Sequence, residues 1–457
     1  MAFMDKFYLL PFVFLLFLER FFLLATLDTS SIGVFSIFAG IFLLSFLVRE
    51  CWQDAILPYI SKYLPDWKQV RKILGMGCWV YGVTACCICI LGICFLPVLS
   101  VFFPYFSDYR WMYLLFILRS AVLFCFSIRH CMLPAKKYGN YLFLWESISL
   151  LAGGVLLYIT ESLEAYLMVS IFATLAMNLH LSFLAGKRYP YILRIRPVSS
   201  AKLLFARSYI WYLLEDLPFF LSMFLILVFQ GVYQVYSYSN YILVFLAMAM
   251  FLHKTVGSVD VLDKNGFCRT ATKVHIFSLL ASAILVGCSS ACAQLLSGST
   301  HTMSIVFLST LNWYLFFMQQ PLHAVIKQKK SQREYLQITL IGISIFILCG
   351  ILFGKAFGLI GILLSLTIAY AYMIPKKITA VFHHGFHQSS TRYAASWISY
   401  LCSILVVLVF GVFVQQFAPG NLFLSLLVRG GSCLLIALLL DFVLFGKDAK
   451  QIFRKLG

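Results

Sequence analysis

The chain has 457 residues, of which 62% are hydrophobic and only 11% charged, a balance that excludes both a soluble globular protein and a disordered one. Its formal net charge of +18 would suit nucleic acid, but the Lys and Arg residues collect in short connections between apolar runs, which leaves a nucleic-acid role nothing to explain. No stretch is polar and long enough to fold as a separate soluble domain. The sequence therefore describes an all-α polytopic membrane protein, counted in spans of roughly 20 residues.

The N-terminal segment lacks the strongly basic start and small-residue cleavage site of a signal peptide, so the first apolar run is expected to be a retained span. Runs able to cross a bilayer fall near 8–26, 31–58, 73–103, 111–133, 141–160 and 164–186. A second set falls near 203–229, 232–255, 274–297, 302–326, 335–353, 356–375, 394–416 and 421–446. They predict about fourteen transmembrane helices.

Starting from a cytoplasmic N-terminus, alternate connections are basic. They hold Lys62, Lys68, Arg71 and Lys72; Arg129, Lys136 and Lys137; and Lys187, Arg188, Arg194, Arg196 and Lys202. The series continues with Lys254, Lys264, Arg269 and Lys273; Lys327, Lys329, Lys330 and Arg333; Lys376, Lys377 and Arg392; and the tail Lys447, Lys450, Arg454 and Lys455. The intervening connections hold only Arg110 and Lys355, beside Asp28, Asp108, Glu161 and Glu164. One missed or extra helix would scramble this alternation, so both termini are expected on the cytoplasmic side of an inner (plasma) membrane.

The two sets of runs overlay as a repeat. "IGVFSIFAGIFLLSFLVREC" (Ile32 to Cys51) and "GVYQVYSYSNYILVFLAMAM" (Gly231 to Met250) each open the second helix of a set with a Gly-Val-aromatic triplet. "IRHCMLPAKKYGNYLFLW" matches "PLHAVIKQKKSQREYLQI", aligning His130 with His323 and Lys136 and Lys137 with Lys329 and Lys330. The organisation expected is an N-terminal six-helix lobe over 1–190, a basic cytoplasmic linker over 191–202, a second six-helix lobe over 203–378, and a helix pair with a basic tail over 379–457. Parallel repeats of this kind place a cavity between the lobes.

Six, six and two helices, with "ERFFLLATLDTSSIGVFS" joining the first two and "GKAFGLIGILLSLTIAYAYMIPKK" (Gly354 to Lys377) bringing a glycine-bearing turn into the twelfth, resemble the multidrug/oligosaccharidyl-lipid/polysaccharide (MOP) exporter superfamily. Within it the likeness is to the bacterial polysaccharide-unit flippases and the lipid II flippase. That resemblance implies alternating access between two lobes and, as cargo, an undecaprenyl-diphosphate-linked oligosaccharide for surface polysaccharide such as capsule or lipopolysaccharide. It implies as partners the lipid-linked glycan, membrane lipids, a polysaccharide polymerase and glycosyltransferases.

Charges inside apolar runs are where function concentrates, because each is costly in a bilayer unless paired or wetted. Glu19 and Arg20 are adjacent on a helix and do not face each other, so each needs another partner. Arg49, Glu50 and Asp54 follow in the second helix, Arg119 in the fourth, Glu146 in the fifth, Glu215 and Asp216 in the seventh, and Arg429 and Asp441 in the last. Arg20, Arg49 and Arg119 are the expected substrate-binding residues, since the guanidinium fork binds phosphate oxygens bidentately and keeps its charge. Glu19, Glu50, Asp54, Glu215 and Asp216 would pair with them or take up a coupling proton or sodium ion. Interhelical salt bridges that fix packing are the alternative. The intramembrane acids are at least as many as the arginines, which a cation-coupled multidrug exporter of the same superfamily would also need.

Catalysis is not expected. No nucleophile elbow, phosphate-binding glycine loop or metalloprotease motif occurs, so the chain offers no site for ATP. A polysaccharide polymerase or acyltransferase would carry a long outside loop or an intramembrane catalytic His, and here His180 is the only candidate. Cys86 and Cys89 form a CxxC inside an apolar run, and His383 and His387 stand one turn apart in a basic loop interrupted by Gly385; both patterns are better explained without metal. No cofactor is expected beyond an ion gradient.

Overall fold

The structure, a computed structural model, describes residues 18, 19, 22–63, 66–102, 106–133, 135–198, 207–231, 234, 235, 238, 239, 264–297, 303–329, 332–416 and 422–454. Among these, regular structure is entirely helical. That is the outcome expected of a chain whose backbone polar groups must be satisfied in lipid without water. Most of the predicted runs near 8–26 and 232–255, together with Arg20, Lys202, Lys254 and Lys330, lie outside the described residues.

Seven helical segments are long and apolar enough to cross a membrane: Trp67–Val101, Asn140–Thr160, Leu163–Arg188, Lys264–Cys288, Glu334–Gly385, Tyr393–Val414 and Leu427–Gly446. Their outward faces carry large apolar side chains, such as Leu91 and Val101, Tyr158 and Ile159, and Leu435, Leu439 and Val443. Exposed patches of that extent belong in hydrocarbon.

The described residues form two compact units, one reaching Phe224 and including those between 231 and 239, the other comprising Leu225–Gln230 and the rest. In the first unit, α1 (Thr29–Tyr63), α2 (Trp67–Phe102), α3 (Phe106–Val122), α4 (Ala135–Thr160) and α5 (Leu163–Arg188) follow in order. α3 is central, touching α1, α2 and α5, while α4 packs on α5. The core between α1, α2 and the segment after α3 is built from Ile56, Leu74, Tyr81, Phe124 and Ile128.

Short polar caps fix where these helices begin. Asp28 accepts from the backbone N–H groups of Ser30 and Ser31 at 3.1 and 3.2 Å, and Asp66 from those of Lys68 and Gln69 at 3.0 and 3.3 Å. Ser162 Oγ accepts from the Ala165 N–H at 3.2 Å. Each oxygen satisfies N–H groups that the first helical turn cannot. Burial raises the Asp28 carboxyl, but the hydrogen bonds from Ser30 and Ser31 outweigh it and hold the group below its ordinary value.

One predicted span is broken. The run near 111–133 does not continue as a single helix: α3 ends at Val122, Phe126 takes a left-handed φ of 61°, and a 3-10 turn covers Ser127–Met132. The reason lies on α5, whose Asn178 Nδ2 donates to the carbonyls of Val122 and Leu123 at 3.0 and 3.4 Å, and whose Ser182 Oγ donates to that of Phe126 at 3.1 Å. These donors replace the helical bonds that the break forfeits.

The second unit also breaks a predicted run. α6 (Arg207–Gln230) ends at Gly231, whose φ of 78° suits a residue without Cβ and closes the helix. Only Leu225–Gln230 of α6 belong to the second unit. There follow α7 (Lys264–Ser297), α8 (Met303–Met318), α9 (Gln320–Lys329), α10 (Gln332–Ala380), α11 (Thr391–Val414) and α12 (Leu422–Arg454). The run near 302–326 breaks at Gln319, whose Oε1 accepts from the buried Lys377 ammonium at 2.7 Å. Both breaks are followed by a buried histidine, His130 in one unit and His323 in the other. α7 is the hub here, packed against α8, α9, α11 and, most extensively, α12.

α10 contains the two predicted runs near 335–353 and 356–375 joined by a kink at Gly358, with φ 62° and ψ −136°. That region of backbone is closed to other residues. A Cβ there would also meet the Gln230 side chain at 2.8 Å.

Candidate functional site

The sequence marks intramembrane charge, and the first unit gathers much of it in one place. Arg49 on α1 is fully buried and lies 4.5 Å from the centre of the Phe46 ring. The Tyr81 hydroxyl donates to the Arg49 carbonyl at 3.2 Å, tying α2 to that turn of α1. Arg119 on α3 is 7% exposed and lies 4.1 Å from the centre of the Phe42 ring. A guanidinium over an aromatic face is held by the ring quadrupole, and the attraction grows once water is removed.

Two carboxylates complete the cluster. Arg119 Nη2 faces Glu146 Oε2 at 3.8 Å, and Glu146 also lies within the electrostatic reach of Glu19 and Arg49. Tyr166 on α5 donates its hydroxyl to Glu19 Oε1. Five helical segments thus contribute to one group of charges: Glu19 before α1, Arg49 from α1, Arg119 from α3, Glu146 from α4 and Tyr166 from α5. His130, which follows α3, is buried beside it, with Nε2 3.4 Å from the Asn178 carbonyl.

Among the described residues the group holds two guanidiniums and two carboxylates and is close to formal neutrality, with Arg119 facing Glu146. It is also incompletely satisfied. The Arg119–Glu146 separation exceeds a hydrogen bond, and Arg119 Nε has no hydrogen-bond partner among the described residues. Alongside runs a narrow crevice lined by Trp145, Glu146, Ser149, Thr174 and Met177. At its edge the Trp145 indole N–H donates to His180 Nδ1 at 3.1 Å, so this histidine is engaged with an aromatic neighbour.

Of the residues singled out from sequence, Glu19, Arg49 and Arg119 come together. Arg20 and the side chains of Glu50, Asp54, Glu215 and Asp216 lie outside the described residues. Glu146 was visible as an intramembrane acid, whereas Tyr166 carried no sequence signal, since a tyrosine in an apolar helix has many uses. In the second unit His384 pairs with Glu334 at 2.7 Å, both about half exposed, and no group of three or more metal-ligating side chains occurs among the described residues.

No family model matches the chain, and no curated protein matches it by sequence. Solved structures do match. The lipid II flippase MurJ in an inward closed conformation aligns with a TM-score of 0.68 over 96% of this chain and 99% of its own, at 12% identity. A mutant of the Vibrio cholerae MATE transporter VcmN aligns with a TM-score of 0.51 over 82% of this chain and 94% of its own, at 11% identity. A MATE transporter in complex with MaL6 gives 0.50 over 83% and 94%, at 13% identity. The chain therefore has the fold that MurJ and the MATE transporters share, the fold of the MOP exporter superfamily that its sequence resembles.

Proposed function

We propose that this protein is a flippase that moves an undecaprenyl-diphosphate-linked oligosaccharide across the bacterial inner membrane for surface polysaccharide assembly. The observation that carries the reading is the cluster of Arg49 and Arg119 with Glu19 and Glu146, in a chain whose fold matches a lipid-linked flippase nearly end to end. A diphosphate would compete with the two carboxylates for the same guanidiniums. Binding cargo would release Glu19 and Glu146, which would then take up a proton or a sodium ion, and so link glycolipid movement to an ion gradient.

In this reading fourteen helices form lobes over 1–190 and 203–378 with a helix pair over 379–457, and both termini are cytoplasmic. Arg20 joins Arg49 and Arg119 on the diphosphate. Glu50, Asp54, Glu215 and Asp216 serve as pairing or coupling acids, and the lipid tail stays in the bilayer. A polymerase and glycosyltransferases act before and after the step, and the protein itself makes and breaks no covalent bond.

The test is depletion of the protein in its host. Lipid-linked oligosaccharide should accumulate on the cytoplasmic leaflet, be cleared by wild type, and persist on the order of tenfold higher with Arg49→Ala/Arg119→Ala, the equivalent of about 1.4 kcal/mol in binding. Full clearance by the double variant would remove the proposed site.

The intramembrane acids, at least as many as the arginines, support a second reading, a cation-coupled exporter of amphipathic compounds. That protein would lose transport with Glu19→Gln more than with the arginine variants, and its depletion would change drug sensitivity without glycolipid accumulation.

A further inference from the structure

The second unit buries a titratable pair that lies outside the charge cluster of the first. Asp441 on α12 is fully buried, on a stripe of small residues with Cys433 and Ala437 at successive turns, all at 0% exposure. Its Oδ1 lies 3.6 Å from Nε2 of His275 on α7, whose side chain is also at 0% exposure. Among the described residues neither Asp441 oxygen has a hydrogen-bond partner, and neither does His275 Nε2. Both residues fall in segments apolar enough to cross the membrane.

The other side of the imidazole determines its tautomer. Tyr314 on α8 donates its single hydroxyl proton to the Tyr400 carbonyl at 3.1 Å. Its oxygen lies 2.6 Å from His275 Nδ1; with the hydroxyl proton on the Tyr400 carbonyl this oxygen accepts, and Nδ1 is the ring nitrogen that carries a proton. The ring is clamped in this orientation by Tyr400, stacked at 4.3 Å, and by Phe445 at 5.1 Å. In that arrangement a neutral His275 turns a bare Nε2 lone pair toward Asp441. A bare carboxylate opposite it would be a buried charge with no donor at all, which is among the costliest states a side chain can adopt.

We propose that His275 and Asp441 together hold one proton inside the membrane-spanning part of the second unit, and that this proton fastens α12 to α7. Whether it resides on the carboxyl or on Nε2, the pair is neutral, and a donor faces an acceptor across 3.6 Å, a gap that electrostatic attraction spans although it is longer than a hydrogen bond. The titratable groups that face it are Tyr314 from α8 and Tyr400 from α11, with Tyr393 beside Tyr314. On α7 Lys273 is two residues away and points to the opposite side of the helix. On α12 Arg429 is more than three turns distant. No described charge is placed to replace the proton.

Proton counting gives the test, read as thermal unfolding of the full-length chain in lipid nanodiscs across pH. The folded pair binds one proton. The unfolded chain binds one between about pH 4 and 6.5 and none above about 6.5. Stability from the pair is therefore level in that window and falls as pH rises beyond it. In Asp441→Asn the amide donates to Nε2 and the folded site binds none, so this variant should instead lose stability as pH drops below about 6.5. The two melting curves should diverge in opposite directions, by roughly 1–2 °C for each pH unit beyond the crossover in a chain of this length. If Asp441→Asn fails to fold, His275→Phe/Asp441→Leu, which removes both groups at once, replaces it as the reference, and wild type should still lose stability relative to it above about pH 6.5. A difference that stays flat from neutral to alkaline pH, against either reference, would mean that no proton is held and would overturn the proposal.

Discussion

Arg119 lies over the Phe42 ring at 4.1 Å while its Nη2 faces Glu146 at 3.8 Å, so one guanidinium joins α1, α3 and α4. Removing the carboxylate with Glu146→Ala should destabilise the first unit by about 2 kcal/mol. That is less than the roughly 3–5 kcal/mol of a fully buried pair, because the Glu146 side chain keeps 28% exposure. Arg119→Lys preserves charge but not the planar fork, and should fold while losing transport. Melting and glycolipid accumulation measured on both variants separate the two roles. An Arg119→Lys protein that transports normally would show that a point charge suffices.

Tyr166 is the donor to Glu19. Tyr166→Phe should cost about 1.5–3 kcal/mol, the range for a hydrogen bond to a charged group. It should also shift the pH dependence of transport, since Glu19 then meets the coupling ion without its donor. An unchanged pH profile with lowered stability would confine Tyr166 to packing.

The break after α3 depends on Asn178 and Ser182. Asn178→Ala should cost about 1–3 kcal/mol by leaving the Val122 and Leu123 carbonyls without that donor. Hydrogen exchange should then rise at 123–130 ahead of the rest of the unit. Uniform loosening would argue against a local cap.

Asp28 supplies the pH prediction. Its carboxyl is held below the ordinary value by Ser30 and Ser31, so its contribution is present above the unfolded pKa of about 3.9. It is lost as pH falls through the lower folded value. Asp28→Asn should lower stability at neutral pH and have less to lose in acid, which melting at neutral and strongly acidic pH would reveal. Equal losses at both would exclude a role for the charge.

The described helices and their order were legible because apolar length is a property of local sequence, and the glycine turn at Gly358 could be placed because only glycine tolerates that backbone. The breaks at Val122 and Gln319 were not legible. They meet Asn178, Ser182 and Lys377, side chains brought from other helices: the first two take over carbonyls of the broken turn, while Lys377 donates to the Gln319 side chain, and an apolar run reads the same with or without them. For the site, the charges could be listed but not paired. That Arg119 would meet Glu146, or Glu19 would meet Tyr166, follows from how α3, α4 and α5 pack, which a hydropathy pattern does not encode.

Phe42, Phe46 and Arg49 lie at i, i+4 and i+7 on α1, a single stripe along one helix. Arg49 travels with that stripe, whereas Arg119 rides on it from α3. The separation between the two guanidiniums is therefore a gauge of interhelical register: each residue of slippage between α1 and α3 changes it by about 1.5 Å along the axis. A ligand that bridges both would favour one register over its neighbours, and a small axial slide would be enough to release it.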